Sequence, residues 1–390
     1  MECTESSHHA GAAEDRVMGL SNVAVKKANK NNVYRFLLAN GTVSKNDIAR
    51  ELGLTVPTIA SALNELLDAG LAKADGTLES RGGRKSVGYT CVPQARYAIG
   101  VNITRKYLDF AVVDLTMHPV YQHHQKFEIH DNEESYQQLK YMISDVILES
   151  RVNQNDILGI AYAIPAITDG TGTRIFGMHE ELDLSWSFYN ISKNWFPFPS
   201  MLRREALCSA FAAINKMSLT GTTVYMNIAP SVGGALIYNG SHVSLGMNCR
   251  TGEIGHITLV PGGKPCYCGR KGCVNAYCST DNLTSYTNGD LHAFFELLDQ
   301  GDTRCRALWE TYTDYLSITV HNLMTAFDHK IVIGGPIAEF LEPHLDEVRE
   351  KVEKTDPYLK GMNYLRCCGM HDSEAIGAAG IYIERFLKSV

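Results

Sequence analysis

No apolar run in this 390-residue chain approaches the roughly 18 residues that a membrane-spanning helix needs. That absence excludes a helical integral membrane protein. The opening stretch, MECTESSHHAGAAEDR, has neither a basic n-region nor an apolar h-region, so it does not read as a secretory leader. It reads as a polar, disordered tail over residues 1–19, in which His8 and His9 are too short a pair to make a metal tract. A cytoplasmic protein is the expectation. An even cysteine count is also lacking: eleven cysteines in a chain without an export signal are expected to be mostly thiols. A positive charge balance is missing too, since the net charge of −7 taken alone argues against a nucleic-acid partner. What is present is globular composition, 45% hydrophobic and 20% charged, at a length that implies two or three domains.

The charge is unevenly placed. Between residues 20 and 90 there are ten Lys and Arg against six Asp and Glu, a balance of +4, which leaves −11 for the remainder. A basic front on an acidic body is the asymmetry expected when one domain meets a polyanion.

Within residues 20–92 the spacing predicts three helices and a hairpin. The first helix covers residues 23–39, with Val33, Phe36 and Leu37 on its apolar side and Asn40-Gly41 as its stop. Ser44 caps the second, with Asp47 three residues on, and Gly53 ends it. The third begins at Thr55-Val56-Pro57, the proline standing where its missing N–H costs nothing, and its inner face is expected to be Val56, Ile59, Leu63, Leu66 and Leu67. Two short helices joined by a tight Gly turn make a helix-turn-helix. The polar face of the third offers Thr55, Thr58, Ser61 and Asn64 to phosphates and base edges, with Lys45 beside them. Strands at 71–73 and 87–90, around Asp75-Gly76 and the loop 80–85, are expected to form a wing. Its Arg81, Arg84 and Lys85 suit the phosphates or a narrow minor groove. Double-stranded DNA is therefore the expected partner.

From Tyr97 onward the pattern is α/β. Strands are expected at 97–101, 108–114, 157–163, 224–228, 235–238 and 330–335, with helices at 133–149 and 308–327. The sharpest local signal is Gly252-Glu253-Ile254-Gly255-His256 followed by Cys266-Tyr267-Cys268-Gly269-Arg270-Lys271-Gly272-Cys273. Three thiolates and one imidazole on a compact Gly-rich loop match a closed Cys3His zinc site, with His256, Cys266, Cys268 and Cys273 as ligands. A site whose four positions are all filled by protein is structural, one Zn2+ per chain.

Gly-Glu-x-Gly-His followed by Cys-x-Cys-Gly-x-x-Gly-Cys closely resembles the signature of the ROK family (repressors, open reading frames and kinases). The resemblance spans nearly the whole chain and resembles the regulator branch. It implies an N-terminal winged helix-turn-helix followed by a two-lobed α/β body with the actin-like ATPase fold of sugar kinases. The small lobe is expected at 95–205 and the large lobe at 206–390, with a C-terminal helix returning to the small lobe. It also implies that Glu253 and His256 face a sugar pocket, and that a homodimer or homotetramer reads an inverted repeat, released or tuned by a sugar or sugar phosphate.

The departures from the family pattern bear on chemistry. Kinase members carry Asp-x-Gly-Gly-Thr after the first strand, where this chain has Gly100-Val101-Asn102-Ile103-Thr104-Arg105. Their second phosphate loop, Gly-Thr-Gly-x-Gly-Gly-Gly, is replaced by residues 229–235, in which Pro230 has no N–H to offer a phosphate. The segment matching the catalytic Glu-Asn-Asp-Ala-Asn is Arg203-Arg204-Glu205-Ala206-Leu207. Glu205 is a degenerate base whose extra methylene shifts the carboxylate by about an ångström, enough to cost ~100-fold in rate. Arg204 stands where the family has a sugar-contacting asparagine, and Asn275 where it has a glutamate. No catalytic residue and no ATP are expected. The expected function is a transcriptional repressor of carbohydrate-related genes whose pocket, built from Glu253, His256, Asn275, Arg204 and Glu205, binds a sugar or an anionic sugar derivative. The alternatives are a ROK sugar kinase and an effector-independent DNA-binding protein.

Overall fold

A computed structural model describes residues 22–78, 86–178, 182–240 and 242–390. The chain divides into two compact units, one ending at Val92 and taking in 387–390, the other running from Pro93 to Phe386. The tail 1–19 and the wing-loop residues Arg81, Arg84 and Lys85 lie outside the described residues.

The first unit is built from α1 (Asn22–Asn40), β1 (Val43–Ser44), α2 (Lys45–Leu52), α3 (Val56–Asp68), β2 (Ala72–Leu78) and β3 (Ser86–Cys91). Ser44 accepts a hydrogen bond from the Asp47 N–H at 3.2 Å and donates its hydroxyl to the Asp47 carboxylate at 2.6 Å, which fixes the start of α2. Gly53 closes that helix in the left-handed conformation, φ 64°. Val33, Tyr34, Leu37, Ile48, Ile59, Leu63 and Leu66 form the core where the three helices meet. Two expectations need correction. Val56 is 43% exposed, because it stands in the first turn of α3; Ala62 takes the core position instead. The first wing strand, expected to end at residue 73, runs on to Leu78, and Asp75-Gly76 lies inside it as a bulge between Ala74 and Thr77, with Gly76 at φ 68°.

The second unit holds two five-stranded sheets. The first comprises β4 (Tyr97–Ile103), β5 (Tyr107–Asp114), β6 (Pro119–Lys126), β7 (Ile157–Ile164) and, further on, β10 (Ser200–Arg204) in the order β10-β7-β4-β5-β6. α4 (Glu133–Glu149) packs on it, capped by Asn132 and with Glu133 and Glu134 at its positive end. A small ribbon of β8 (Ala166–Thr168) and β9 (Ile175–Met178) and the short α5 (Phe188–Ser192) precede β10. β4 and β7 run parallel at the centre and are almost wholly buried, which is why they read as unbroken apolar runs.

After α6 (Glu205–Met217) comes the second sheet, with β11 (Thr223–Ile228), β12 (Val232–Tyr238), β13 (His242–Val243), β14 (Lys330–Gly334) and β15 (Leu365–Cys367) in the order β13-β12-β11-β14-β15. Its core is shared with α7 (Asn275–Cys278), α8 (Asp281–Thr284), α9 (Leu291–Asp299), α10 (Thr303–Phe327), α11 (Ala338–Leu341) and α12 (Leu345–Thr355). The last helix, α13 (Ser373–Ser389), returns to β4. A Cβ on Gly100 would lie 1.8 Å from the Ala375 carbonyl oxygen, and one on Gly377 would lie 1.7 Å from that of Cys208 on α6. The chain thus leaves the first sheet at β10 and enters the second through α6, and that hinge of sequence carries Arg203-Arg204-Glu205.

Candidate functional site

In the first unit the exposed side of α3 presents Pro57, Ser61, Asn64 and Asp68. Thr55 caps this helix, accepting from the Thr58 N–H at 3.4 Å, and the two hydroxyls lie 2.8 Å apart. Lys45 opens α2 with its ammonium 5.1 Å from the centre of the Tyr89 ring, which ties the helix-turn-helix to wing strand β3.

The second unit brings His256, Cys266, Cys268 and Cys273 together with all four donor atoms within 4.8 Å of one another. The Cys268 and Cys273 sulfurs are 3.7 Å apart, and the Cys266 sulfur is 3.8 Å from His256 Nδ1. A tetrahedron with metal–sulfur bonds of about 2.3 Å has edges of about 3.8 Å, so the donor set fits zinc. The knuckle is shaped by backbone: the Cys266 N–H donates to the Arg270 carbonyl at 2.8 Å and the Gly269 N–H to that of Cys266 at 3.0 Å. Gly272 is required here. Its φ is 80°, and a Cβ would sit 1.7 Å from the Val260 carbonyl oxygen. Burial raises the Cys268 thiol, but hydrogen bonds from the Arg270 backbone and guanidinium and from its neighbouring thiols outweigh this and bring it down to about 7. That favours the thiolate a metal needs.

Beside the knuckle lies a cleft of about 480 Å³, its lining including Arg204, Glu205, Glu253, His256 and Tyr267, with Ile167 and Met178 as an apolar wall. Strand alternation sends Arg203 and Arg204 opposite ways. Arg203 turns to the Gly170 carbonyl at 3.1 Å, whereas Arg204 enters the cleft. There it is 5% exposed and donates to the Glu253 carboxylate, to the Gly234 carbonyl at 3.1 Å and to the Thr251 carbonyl. Arg204 therefore pairs with Glu253 and not with its neighbour Glu205. Glu205 is half-buried in the cleft wall, with its Oε2 buried and lacking a partner among the described residues. Burial pushes its carboxyl up to about 8 against the opposing pull of Arg204, so it is largely protonated at neutral pH.

His256 aims Nδ1 at the knuckle and Nε2 at the Tyr267 hydroxyl, 3.1 Å away, with Glu253 Oε2 at 3.8 Å. Asn275, expected to line the pocket, is not among its lining residues: it is buried, and its Oδ1 accepts from the Val232 N–H at 2.7 Å. It braces the turn into β12. Asn102, near the end of β4, donates to Asp109 at 2.9 Å, and Asn227, at the end of β11, donates to Glu374 at 3.2 Å. Gly233 and Gly234 lie inside β12 and not in a phosphate-cradling turn.

A family model described as ROK family matches residues 98–383, and one described as winged helix-turn-helix DNA-binding matches residues 28–73. The chain belongs to the ROK family. Among the curated relatives, this ROK chain is 25% identical over 383 residues to the xylose repressor of Bacillus spizizenii, covering 94% of this chain and 97% of that one. It is 22% identical to the DNA-binding transcriptional dual regulator NagC of Escherichia coli K12, with coverages of 81% and 82%. In three dimensions it is similar to a ROK family transcriptional regulator, a homolog of the E. coli MLC protein, with TM-score 0.74 at 18% identity, covering 94% and 97% of the two chains. The ROK hexokinase of Thermus thermophilus matches with TM-score 0.60 at 22% identity, over 74% of this chain and 99% of that one. The fold is thus the winged helix-turn-helix joined to the actin-like ROK body. Among the described residues no helix is long and apolar enough to cross a membrane.

Sequence reasoning passed over Tyr267, although its place between two ligand cysteines was a signal. It also passed over Thr251 and Gly234, whose contribution is a backbone carbonyl that no residue identity announces.

Proposed function

We propose that the protein is a sugar-responsive transcriptional repressor in which the helix-turn-helix binds operator DNA and the cleft of the ROK body binds the effector. The observation that carries this reading is the joining of a helix-turn-helix unit to a ROK body whose reacting position is closed. Glu205 is half-buried with its carboxyl pushed up to about 8, and Arg204 pairs with Glu253, a carboxylate that the resemblance places facing the sugar pocket. Asp109 stands beside Asn102 in the stretch that corresponds to the first phosphate loop of kinase members, where its charge opposes a nucleotide. Phosphoryl transfer depends on positioning and electrostatic stabilisation, and both are missing. The body is accordingly a sensor and not an enzyme.

His256, Cys266, Cys268 and Cys273 would hold a structural zinc ion, whose role is to fix the loop that carries Glu253 and Tyr267 to the cleft. The protein works as a homo-oligomer whose paired helix-turn-helix units read an inverted repeat. The relatives named as xylose repressor and as NagC support a carbohydrate effector.

The test is electrophoretic retardation of the organism's own genomic fragments. A specific shift, weakened steeply by salt and altered by a sugar, a sugar phosphate or a sugar acid, is expected. Failure to retard any fragment at low salt overturns the reading. The fold of the ROK hexokinase motivates one further check, ADP release with common hexoses and amino sugars. No turnover is expected, and turnover abolished by Glu205→Gln would restore the kinase.

A further inference from the structure

We propose that the groove between α1 and α3 is a DNA-backbone site, in which Lys26 and Lys30 of α1 supply the positive charge that the recognition helix lacks. This rests on the DNA-binding reading above. Charge is segregated between the two helices. α3, Val56–Asp68, contains Glu65 and Asp68 and no basic residue. α1, Asn22–Asn40, contains Lys26, Lys27, Lys30 and Arg35 and no acidic one. A helix bearing two carboxylates approaches the phosphates of a major groove against repulsion unless a neighbouring element compensates.

α1 is placed to do so. Lys26 Nζ lies 2.6 Å and Lys30 Nζ 3.3 Å from the two oxygens of Glu65, so one carboxylate faces two ammonium groups and the local balance is positive. The pair borders a groove of about 280 Å³ whose lining includes Lys26, Asn29 and Lys30 from α1 and Thr58, Ser61 and Glu65 from α3. Ser61 is one of the residues on the exposed face of α3, so the groove runs into the surface that would enter DNA. Its wall of ammonium, amide and hydroxyl groups is the donor set that phosphate oxygens accept from. Lys26 keeps 64% of its side chain exposed while it holds Glu65, and an exposed ion pair contributes little to stability. Lys26 is therefore free to exchange the carboxylate for a phosphate at small cost, and Lys30, 26% exposed, adds its charge to the same groove wall. Glu65 holds both side chains over the groove in the absence of DNA.

The experiment measures the affinity of the full-length protein for a short mixed-sequence duplex across a salt series, for wild type, the double variant Lys26→Gln/Lys30→Gln, and Glu65→Gln, each checked by thermal melting. If the two lysines meet phosphates, the double variant lowers the salt slope of log K by about 1.8. Glu65→Gln, which frees both ammonium groups, strengthens binding at low salt. An unchanged slope in a folded double variant overturns the proposal, as does weaker binding by a folded Glu65→Gln. Wild-type protein that binds neither this duplex nor any genomic fragment instead overturns the DNA-binding reading on which the proposal stands.

Discussion

Arg204 and Glu205 are neighbours in sequence with opposite fates, and each yields a prediction. Arg204 satisfies three acceptors drawn from 30 to 49 residues away, so it bolts the end of β10 to the loops around β12. Replacing it with alanine leaves Glu253 facing the cleft without its partner. The expected cost is roughly 3 kcal/mol, read from denaturant unfolding; a loss below the error of that measurement would show that the pair is not closed in solution. Glu205 has the reverse problem, a carboxyl whose folded pKa of about 8 lies above its ordinary value of 4.5. A group raised on folding contributes stability that is complete below pH 4.5 and disappears as pH climbs through 8. Stability should therefore fall between those limits, by on the order of a few kcal/mol at most, and the melting temperature should fall with it. Glu205→Gln should flatten that part of the profile, and a parallel profile would rule out Glu205 as the titrating group. Sequence reading singled out both positions as departures from the family pattern. The partner of Arg204 was beyond it, because Glu253 is brought there by the path of β11 and β12, and no local periodicity encodes a contact across 49 residues.

Individual elements were the most legible part of the chain. α4 begins and ends where its Asn132 cap and apolar spacing place it, and α2 is framed by Ser44 and Gly53. Where reading failed, local chemistry had two outcomes. Asp75-Gly76 is a common turn pair, yet a left-handed glycine also serves a bulge, and the longer β2 selects the second. Asn275 could hydrogen-bond a ligand or a backbone N–H, and the turn at Val232 takes it. Two predictions belong to this scale. Ser44→Ala removes the cap of α2 and should cost about 1 kcal/mol in the first unit, followed by thermal melting. Cys268→Ser removes one corner of the metal tetrahedron. Metal analysis should find about one zinc per wild-type chain and markedly less in the variant, together with a lower melting temperature. A variant that keeps its full metal content would show that the ligand set is wrong.

For the whole molecule, repression tuned by an effector requires more than two binding sites. A ligand changes the affinity of the helix-turn-helix for operator only by as much as it prefers one global state over the other. The cleft supplies a physical source of that preference. A polyol that hydrogen-bonds Glu253 competes with Arg204, and Arg204 ties the strand that ends the first sheet to the loops of the second. Binding is thereby linked to whether that bolt is closed. The linkage is reciprocal, so any ligand that weakens operator binding by a given factor must itself be bound more weakly, by the same factor, when the operator is present. A screen of sugars, sugar phosphates and sugar acids by thermal shift should first identify a stabilising compound. Calorimetric titration of that compound into free and operator-bound protein then gives the factor from one side, and operator titration with and without the compound gives it from the other. Equal factors well above one, collapsing towards one in Arg204→Ala, are the expected result. A compound that binds the cleft with the same affinity in both forms would leave the DNA-binding unit intact and remove its effector control.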